Sequence, residues 1–107
     1  MSKLNIKPMS VNQVWQGKRF KTKSYKQYRA DLQKILPPLK IPDGELKVNY
    51  LFGVSNMGSD VDNLVKPFQD SLQEKYGFND SKIIEFTAKK VKVKKCDEFI
   101  QFEIEGL

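Results

Sequence analysis

The sequence predicts one small α+β domain over residues 1–107, in which a mixed or antiparallel sheet carries two main helices on one face. Three observations support this fold class. Two segments have apolar residues at helical spacing, and other segments alternate apolar and polar residues as half-buried strands do. The length of 107 residues suits a single core. No internal repeat or linker divides the chain.

The first half of the chain contains a predicted strand, a helix and a second strand. Residues 4–6 open the short first strand. Ser24 is the predicted N-cap of the helix, because apolar residues follow it at helical spacing. Residues 37–38 are both proline and therefore stop that helix. Residues 46–52 alternate in polarity, which predicts a half-buried strand.

The second half contains a predicted helix followed by two strands. The helix is expected over residues 60–75, with an apolar stripe toward the core that comprises Leu64, Phe68 and Leu72. Pro67 lies inside it and predicts either an irregular first turn or a later start. Residues 83–94 and 99–104 are predicted strands, which residues 96–98 are expected to join as a hairpin.

The composition excludes several classes of function. Nineteen Lys and Arg against thirteen Asp and Glu give a net charge of +6. This charge favours nucleic acid or an anionic membrane surface as a partner, and a basic protein that is merely soluble is the alternative. The absence of histidine excludes Ser-His-Asp triads and His-ligated zinc. The single cysteine, Cys96, indicates a reducing compartment. With no apolar run near the ~20 residues of a membrane span and no signal peptide, we expect a cytoplasmic protein without a membrane partner.

An acidic cluster in this basic chain is its most informative feature. Asp60, Asp62, Lys66, Asp70 and Asp80 lie close together in sequence. On a helix, Asp62, Lys66 and Asp70 follow one another at i, i+4 and i+8, on the side away from the apolar stripe. An exposed helix with ordinary ion pairs would have the same pattern. Converging carboxylates, however, repel one another and need a cation to neutralise them.

Hydrolysis of a phosphodiester needs the residue types found in this cluster. A divalent ion polarises the phosphoryl oxygen and activates water, and a second cation stabilises the developing charge. In the absence of histidine, Asp60, Asp62 and Asp80 are the predicted Mg²⁺ ligands, and Asp70 is a further candidate. Lys66 is the predicted charge-stabilising residue.

These residues resemble the motif of RusA-type Holliday-junction resolvases. The resemblance spans about residues 6–104 and is carried by Asp60-Val61-Asp62-Asn63-x-x-Lys66-x-x-x-Asp70-x-Leu72, by Asn79-Asp80, and by Ser10-Val11-Asn12 followed by Trp15. It implies a Mg²⁺-dependent endodeoxyribonuclease, with Mn²⁺ able to substitute, that resolves four-way DNA junctions by paired symmetric nicks in recombination and repair. It also implies a homodimer in a bacterial or phage-infected cell. Carried over by position, Asp60, Asp62 and Asp80 are the catalytic carboxylates and Lys66 is the essential lysine.

Two basic segments are predicted to contact DNA phosphates. Their candidate residues are Lys18, Arg19, Lys21 and Lys23 in the first segment, and Lys90, Lys92 and Lys94 in the second. Two other functions stay open on the residues alone. One is a non-catalytic protein that binds branched DNA, and the other is an RNA-binding module. Cleavage of a synthetic four-way junction, with and without Mg²⁺, separates a nuclease from both.

Overall fold

A computed structural model describes residues 1–16 and 20–107. The elements are β1 (Ser2–Leu4), a 3₁₀ turn (Val11–Gln13), β2 (Trp15–Gln16), β3 (Phe20–Lys21), α1 (Lys23–Ile35), β4 (Leu46–Val54), α2 (Val61–Tyr76), a second 3₁₀ turn (Asp80–Lys82), β5 (Ile83–Lys92) and β6 (Phe99–Gly106). Strands β2 and β3 pair with each other as a separate antiparallel ladder.

The main sheet has four strands in the order β1–β6–β4–β5 and is mixed. Strand β5 runs parallel to β4, whereas β6 runs antiparallel to β4 on its other side. The predicted hairpin between the last two strands is therefore wrong. Because α2 connects β4 to β5, those two strands become parallel neighbours, and residues 96–98 lead the chain past the end of β4 instead.

The core lies between one face of this sheet and the two helices. Val48, Tyr50 and Phe52 of β4 are buried on that face. The ring of Phe68 on α2 packs edge-on against Tyr50, Phe52 and Phe102, a geometry that aromatic pairs favour. The opposite face of the sheet carries hydrogen bonds and an ion pair between polar side chains. The α+β class with both helices on one face is confirmed.

The first helix is capped by Thr22, not by the predicted Ser24. Thr22 Oγ1 accepts a hydrogen bond from Tyr25 N at 3.1 Å and donates one to Gln13 O at 2.7 Å. The threonine thus satisfies a free amide of the helix and ties α1 to the first 3₁₀ turn. The helix ends at Ile35, ahead of the two prolines, as predicted. Strand β1 begins and ends earlier than predicted, because it covers Ser2–Leu4 and shares only Leu4 with residues 4–6.

The second helix is continuous through Pro67. It begins at Val61, directly after Asp60, and ends at Tyr76, where Gly77 is the C-cap with a left-handed φ of 71°. The predicted irregular first turn or later start was therefore wrong. Proline removes one backbone donor and restricts the preceding turn, and burial of the apolar side of α2 offsets that cost. The predicted stripe is buried, and it comprises Leu64, Phe68 and Leu72.

Candidate active site

One face of α2 presents the charged residues that the sequence predicted. Lys66 Nζ donates a hydrogen bond to Asp70 Oδ1 at 2.8 Å. The same Nζ lies 3.9 Å from Asp80 Oδ2. Lys66 therefore connects α2 to the 3₁₀ turn that begins ten residues after Asp70 in the sequence. Asp62, one turn earlier on the same face, is exposed.

Lys66 is a cation between two carboxylates. The hydrogen bond that it donates to Asp70 raises the pKa of its ammonium above the ordinary lysine value, and the negative charge of Asp80 acts in the same direction. Its side chain is nevertheless 55% exposed. The ammonium is thus charged at neutral pH and accessible to an incoming phosphate.

Asp80 is positioned by the residue before it. Asn79 is the N-cap of the second 3₁₀ turn, and its Oδ1 accepts the backbone N–H two residues later at 2.9 Å. This bond fixes the start of the turn, while the Asp80 side chain remains 46% exposed. Asp70 and Asp80 line one open cleft. An ion pair between Arg29 of α1 and Glu74 of α2 forms part of the same cleft.

Asp60 occupies the N-cap position of α2 without acting as a cap. Its backbone is extended, with φ −67° and ψ 145°, but its side chain makes no capping hydrogen bond. An N-cap aspartate ordinarily accepts an amide hydrogen from the first helical turn. The Asp60 carboxylate is therefore available to another partner. Asp62 follows within the first turn, where the helix dipole favours negative charge.

The predicted metal ligands are not gathered into one cluster. Within residues 1–16 and 20–107, no three acidic or cysteine side chains lie close enough to hold one metal ion. Asp70 and Asp80 are both ion-paired to Lys66, whereas neither Asp60 nor Asp62 is ion-paired to that lysine. The donor set itself suits Mg²⁺, which prefers carboxylate oxygens and keeps several waters, so that two or three aspartates suffice. Carboxylates without a cation repel one another.

A comparison with known protein families identifies the family of the chain. The family model described as endodeoxyribonuclease RusA matches residues 5–103. The chain belongs to the RusA endodeoxyribonuclease family. Membership implies a Holliday-junction-resolving endonuclease with branched DNA as its substrate, and RusA resolvases generally depend on a divalent metal. No curated protein matched the chain. In the described ranges, no helix has the length and apolar character to cross a membrane.

The N-terminal motif of the RusA resemblance forms a compact turn against α2. Ser10 is buried, and its Oγ accepts a hydrogen bond from Asn12 N at 3.2 Å. Ser10 N in turn donates to Gln13 Oε1 at 3.0 Å. These reciprocal bonds are a capping box on a single 3₁₀ turn. The motif is therefore a rigid neighbour of the acidic helix.

The predicted DNA contacts of this RusA-family chain fall in two regions. Lys18 and Arg19 lie outside the described residues. The exposed members of the set are Lys21 in β3, Lys23 at the start of α1, and Lys92 and Lys94 at and beyond the end of β5. Their exposure is compatible with contacts to DNA phosphates, which stay a prediction.

Lys90 has a role that the sequence did not indicate. Its Nζ donates hydrogen bonds to Met57 O at 2.8 Å and to Ser59 O at 2.6 Å. The ammonium thereby holds the loop that leads into Asp60. Nothing in a lysine-rich strand distinguishes this residue, because its partners are more than thirty positions away in sequence.

Proposed function

We propose that this protein is a Mg²⁺-dependent endodeoxyribonuclease that resolves four-way DNA junctions by paired symmetric nicks, with Mn²⁺ able to replace Mg²⁺. Its place of action is the cytoplasm of a bacterial or phage-infected cell. Membership of the RusA family supports the reaction class. The observation that carries the proposal is the position of Lys66. It lies on the helix face that also presents Asp62, and it pairs with Asp70 of that helix and with Asp80 of the following 3₁₀ turn.

The ligands of the metal ion would be Asp60, Asp62 and Asp80, with Asp70 as an additional or outer-sphere ligand. When bound, the ion supplies polarisation of the phosphoryl oxygen and an activated water. By binding the same ion, the carboxylates would relieve their mutual repulsion. Asp60 is suited to this role because its side chain is not used as a helix cap.

Lys66 would stabilise the negative charge that develops on the phosphate. Its contact with Asp80 is the longer of its two ion pairs, at 3.9 Å against 2.8 Å for Asp70. A substrate oxygen can therefore replace Asp80 at the ammonium while Asp70 continues to orient it. Release from Lys66 also leaves the Asp80 carboxylate available to the metal ion.

A homodimer would place two such sites on one junction, since a twofold enzyme suits two symmetric nicks. The described residues pair β5 on one side only, and its Ile84 and Phe86 side chains are 55% and 50% exposed. Antiparallel pairing with a second copy about Thr87 would set Glu85 opposite the partner's Lys89. This register pairs opposite charges across the strands. The free edge of β5 is therefore the surface at which we place the second subunit.

The test is cleavage and binding of a synthetic four-way junction by the wild type and by Asp62→Asn. The wild type should nick two opposing strands in Mg²⁺ or Mn²⁺ and none in a chelator. Asp62→Asn should lose cleavage and bind the junction as tightly or more tightly, because it removes negative charge near the phosphates. Asp43→Asn, at an exposed position in the turn before β4, is the matched control and should cut normally.

Three results would contradict the proposal. Full cleavage by Asp62→Asn would show that the Asp62 carboxylate has no role in catalysis. Junction binding by the wild type without cleavage in either metal would instead favour a non-catalytic protein that occupies branched DNA. Preference for RNA over the junction would favour the RNA-binding alternative.

A further inference from the structure

A cavity of about 300 Å³ lies beside the start of α2. Its lining includes three buried apolar residues, Pro8, Val54 and Leu64. It also includes polar groups from the N-terminal motif, such as Asn12, and from the loop before α2, such as Ser59. Because Ser59 directly precedes Asp60, the cavity adjoins the N-terminal end of the acidic helix.

The two walls of this cavity are held by hydrogen bonds. On one side, the capping box between Ser10 and Gln13 fixes the turn that carries Asn12. On the other side, Lys90 holds the carbonyl of Ser59 at 2.6 Å. A site whose walls are already fixed loses little conformational freedom when a ligand enters.

The charge of the cavity argues against a phosphate as its ligand. Glu98 lines it, and the two carboxylate oxygens accept hydrogen bonds from Ser55 Oγ and Cys96 N, each at 2.8 Å. The bond from Ser55 lowers the pKa of Glu98 below the ordinary value, so that the carboxylate is charged at neutral pH. Lys7 on the same lining balances this charge. The surplus of positive charge that phosphate recognition uses is therefore missing from the described lining.

We propose that this cavity binds a single unstacked base of the DNA strand whose phosphate lies at the acidic face of α2, an inference that rests on the proposed function. A base requires apolar contact for its ring and hydrogen-bonding groups at its edge, and the cavity has both. In the described part of the chain, the Asn12 amide side chain makes no hydrogen bond and can pair with a base edge. Glu98 accepts hydrogen bonds only and so favours a base with an exocyclic amino group over thymine.

The consequence is that the cavity selects where along the DNA sequence a strand is cut. The acidic face would perform the chemistry at any correctly placed phosphate. The base beside that phosphate would be accepted or rejected by Asn12 and Glu98. The N-terminal motif, which has no part in the metal site, would therefore serve in recognition of the base.

The test uses 2-aminopurine, a fluorescent base that carries an exocyclic amino group, placed in turn at each position around the crossover of a four-way junction. Binding is measured in metal-free buffer, so that the strands remain intact. We expect fluorescence to rise at one position on each of two opposite strands, because the base leaves its stack. Asn12→Ala and Glu98→Gln should each lose this rise and still bind the junction. Asn5→Ala, an exposed asparagine outside the cavity, is the matched control and should keep it.

The possible results separate this inference from the proposed function. Binding without a rise at any position, or a rise that both cavity variants retain, would overturn base binding and leave the nuclease proposal intact. Failure of the wild type to bind the junction would refute the proposed function and the inference together. In Mg²⁺, the cavity variants should cut at more positions than the wild type.

Discussion

Helix α2 and strand β5 both carry rows of charged side chains, but the fold uses the two rows differently. On α2 the charged residues face away from the core, and Lys66 is ion-paired to Asp70 of the same helix and to Asp80 of the 3₁₀ turn that follows it. On β5 the middle lysine, Lys90, holds a loop by its backbone carbonyls, and Phe86 on the same side of the strand is half exposed at the sheet edge. Under the proposed function, α2 would perform the chemistry, whereas β5 would shape the site and meet a partner.

Replacement of Lys66 by alanine should have the largest effect on cleavage. Loss of one group that stabilises developing charge lowers turnover by about 10²–10³-fold. Junction affinity should change little, because Lys66 would make one phosphate contact among several and would act mainly on the charge that develops in the transition state. Single-turnover cleavage at saturating enzyme measures the effect. Lys34→Ala, in the last turn of α1, is the matched control and should cut like the wild type.

A Lys66→Ala variant whose cleavage rate is within a few-fold of that of the wild type would contradict the catalytic role proposed for α2, since α2 would then hold no catalytic cation. A variant that loses binding as well as cleavage would assign Lys66 to DNA attachment. Lys66→Arg keeps the charge and should retain more activity than Lys66→Ala.

Replacement of Phe86 by lysine should have the next largest effect, on the oligomeric state. The change removes an exposed apolar ring from the edge of β5 and adds like charge near the proposed twofold axis. The wild type should be a dimer and the variant a monomer by light scattering on a sizing column. The monomer should nick single strands without the paired symmetry of the dimer. A variant that stays dimeric would move the interface away from β5.

Leu39→Lys is the matched control for the edge of β5. Leu39 is also an exposed apolar residue but lies in the connection between α1 and β4. It should remain dimeric. Loss of the dimer in both variants would mean that a general change in charge, and not the strand edge, dissolves the assembly.

The smallest expected effects belong to the exposed lysines at the far end of β5. Lys92→Ala and Lys94→Ala should each weaken junction binding modestly and lower the slope of log affinity against log salt by about 0.9, as the loss of one phosphate contact does. Cleavage at saturating protein should be unchanged. Binding titrations at several salt concentrations measure the slope. An unchanged slope in both variants would exclude this end of β5 from the DNA interface.

Local pattern explains why α2 could be predicted and the position of β5 could not. The period of an α-helix fixes which residues share a face, so Leu64 and Lys66 could be assigned to opposite sides from sequence alone. A strand in which apolar and polar residues alternate can pair with any neighbouring strand. The hairpin between β5 and β6 was inferred from their closeness in sequence, and the partners are instead set by the passage of the chain through α2.

The candidate site was also predictable only where local pattern determines it. The residue types and spacing of the acidic motif indicated its chemistry, and the family match supports that class. The contact of Lys66 with Asp80, the uncapped Asp60 and the loop contacts of Lys90 depend on tertiary packing. Long-range contacts of this kind have no local sequence pattern.

The most direct test of the account is whether separate aspartates share one metal ion. On ¹⁵N-labelled protein, low concentrations of paramagnetic Mn²⁺ should first broaden the amide signals of residues 60–64 and 79–82 together, with one midpoint. Asp62→Asn should abolish the broadening of both segments, because the ion is held jointly. Broadening of one segment alone, or survival of the signal change at 79–82 in Asp62→Asn, would contradict a shared metal site.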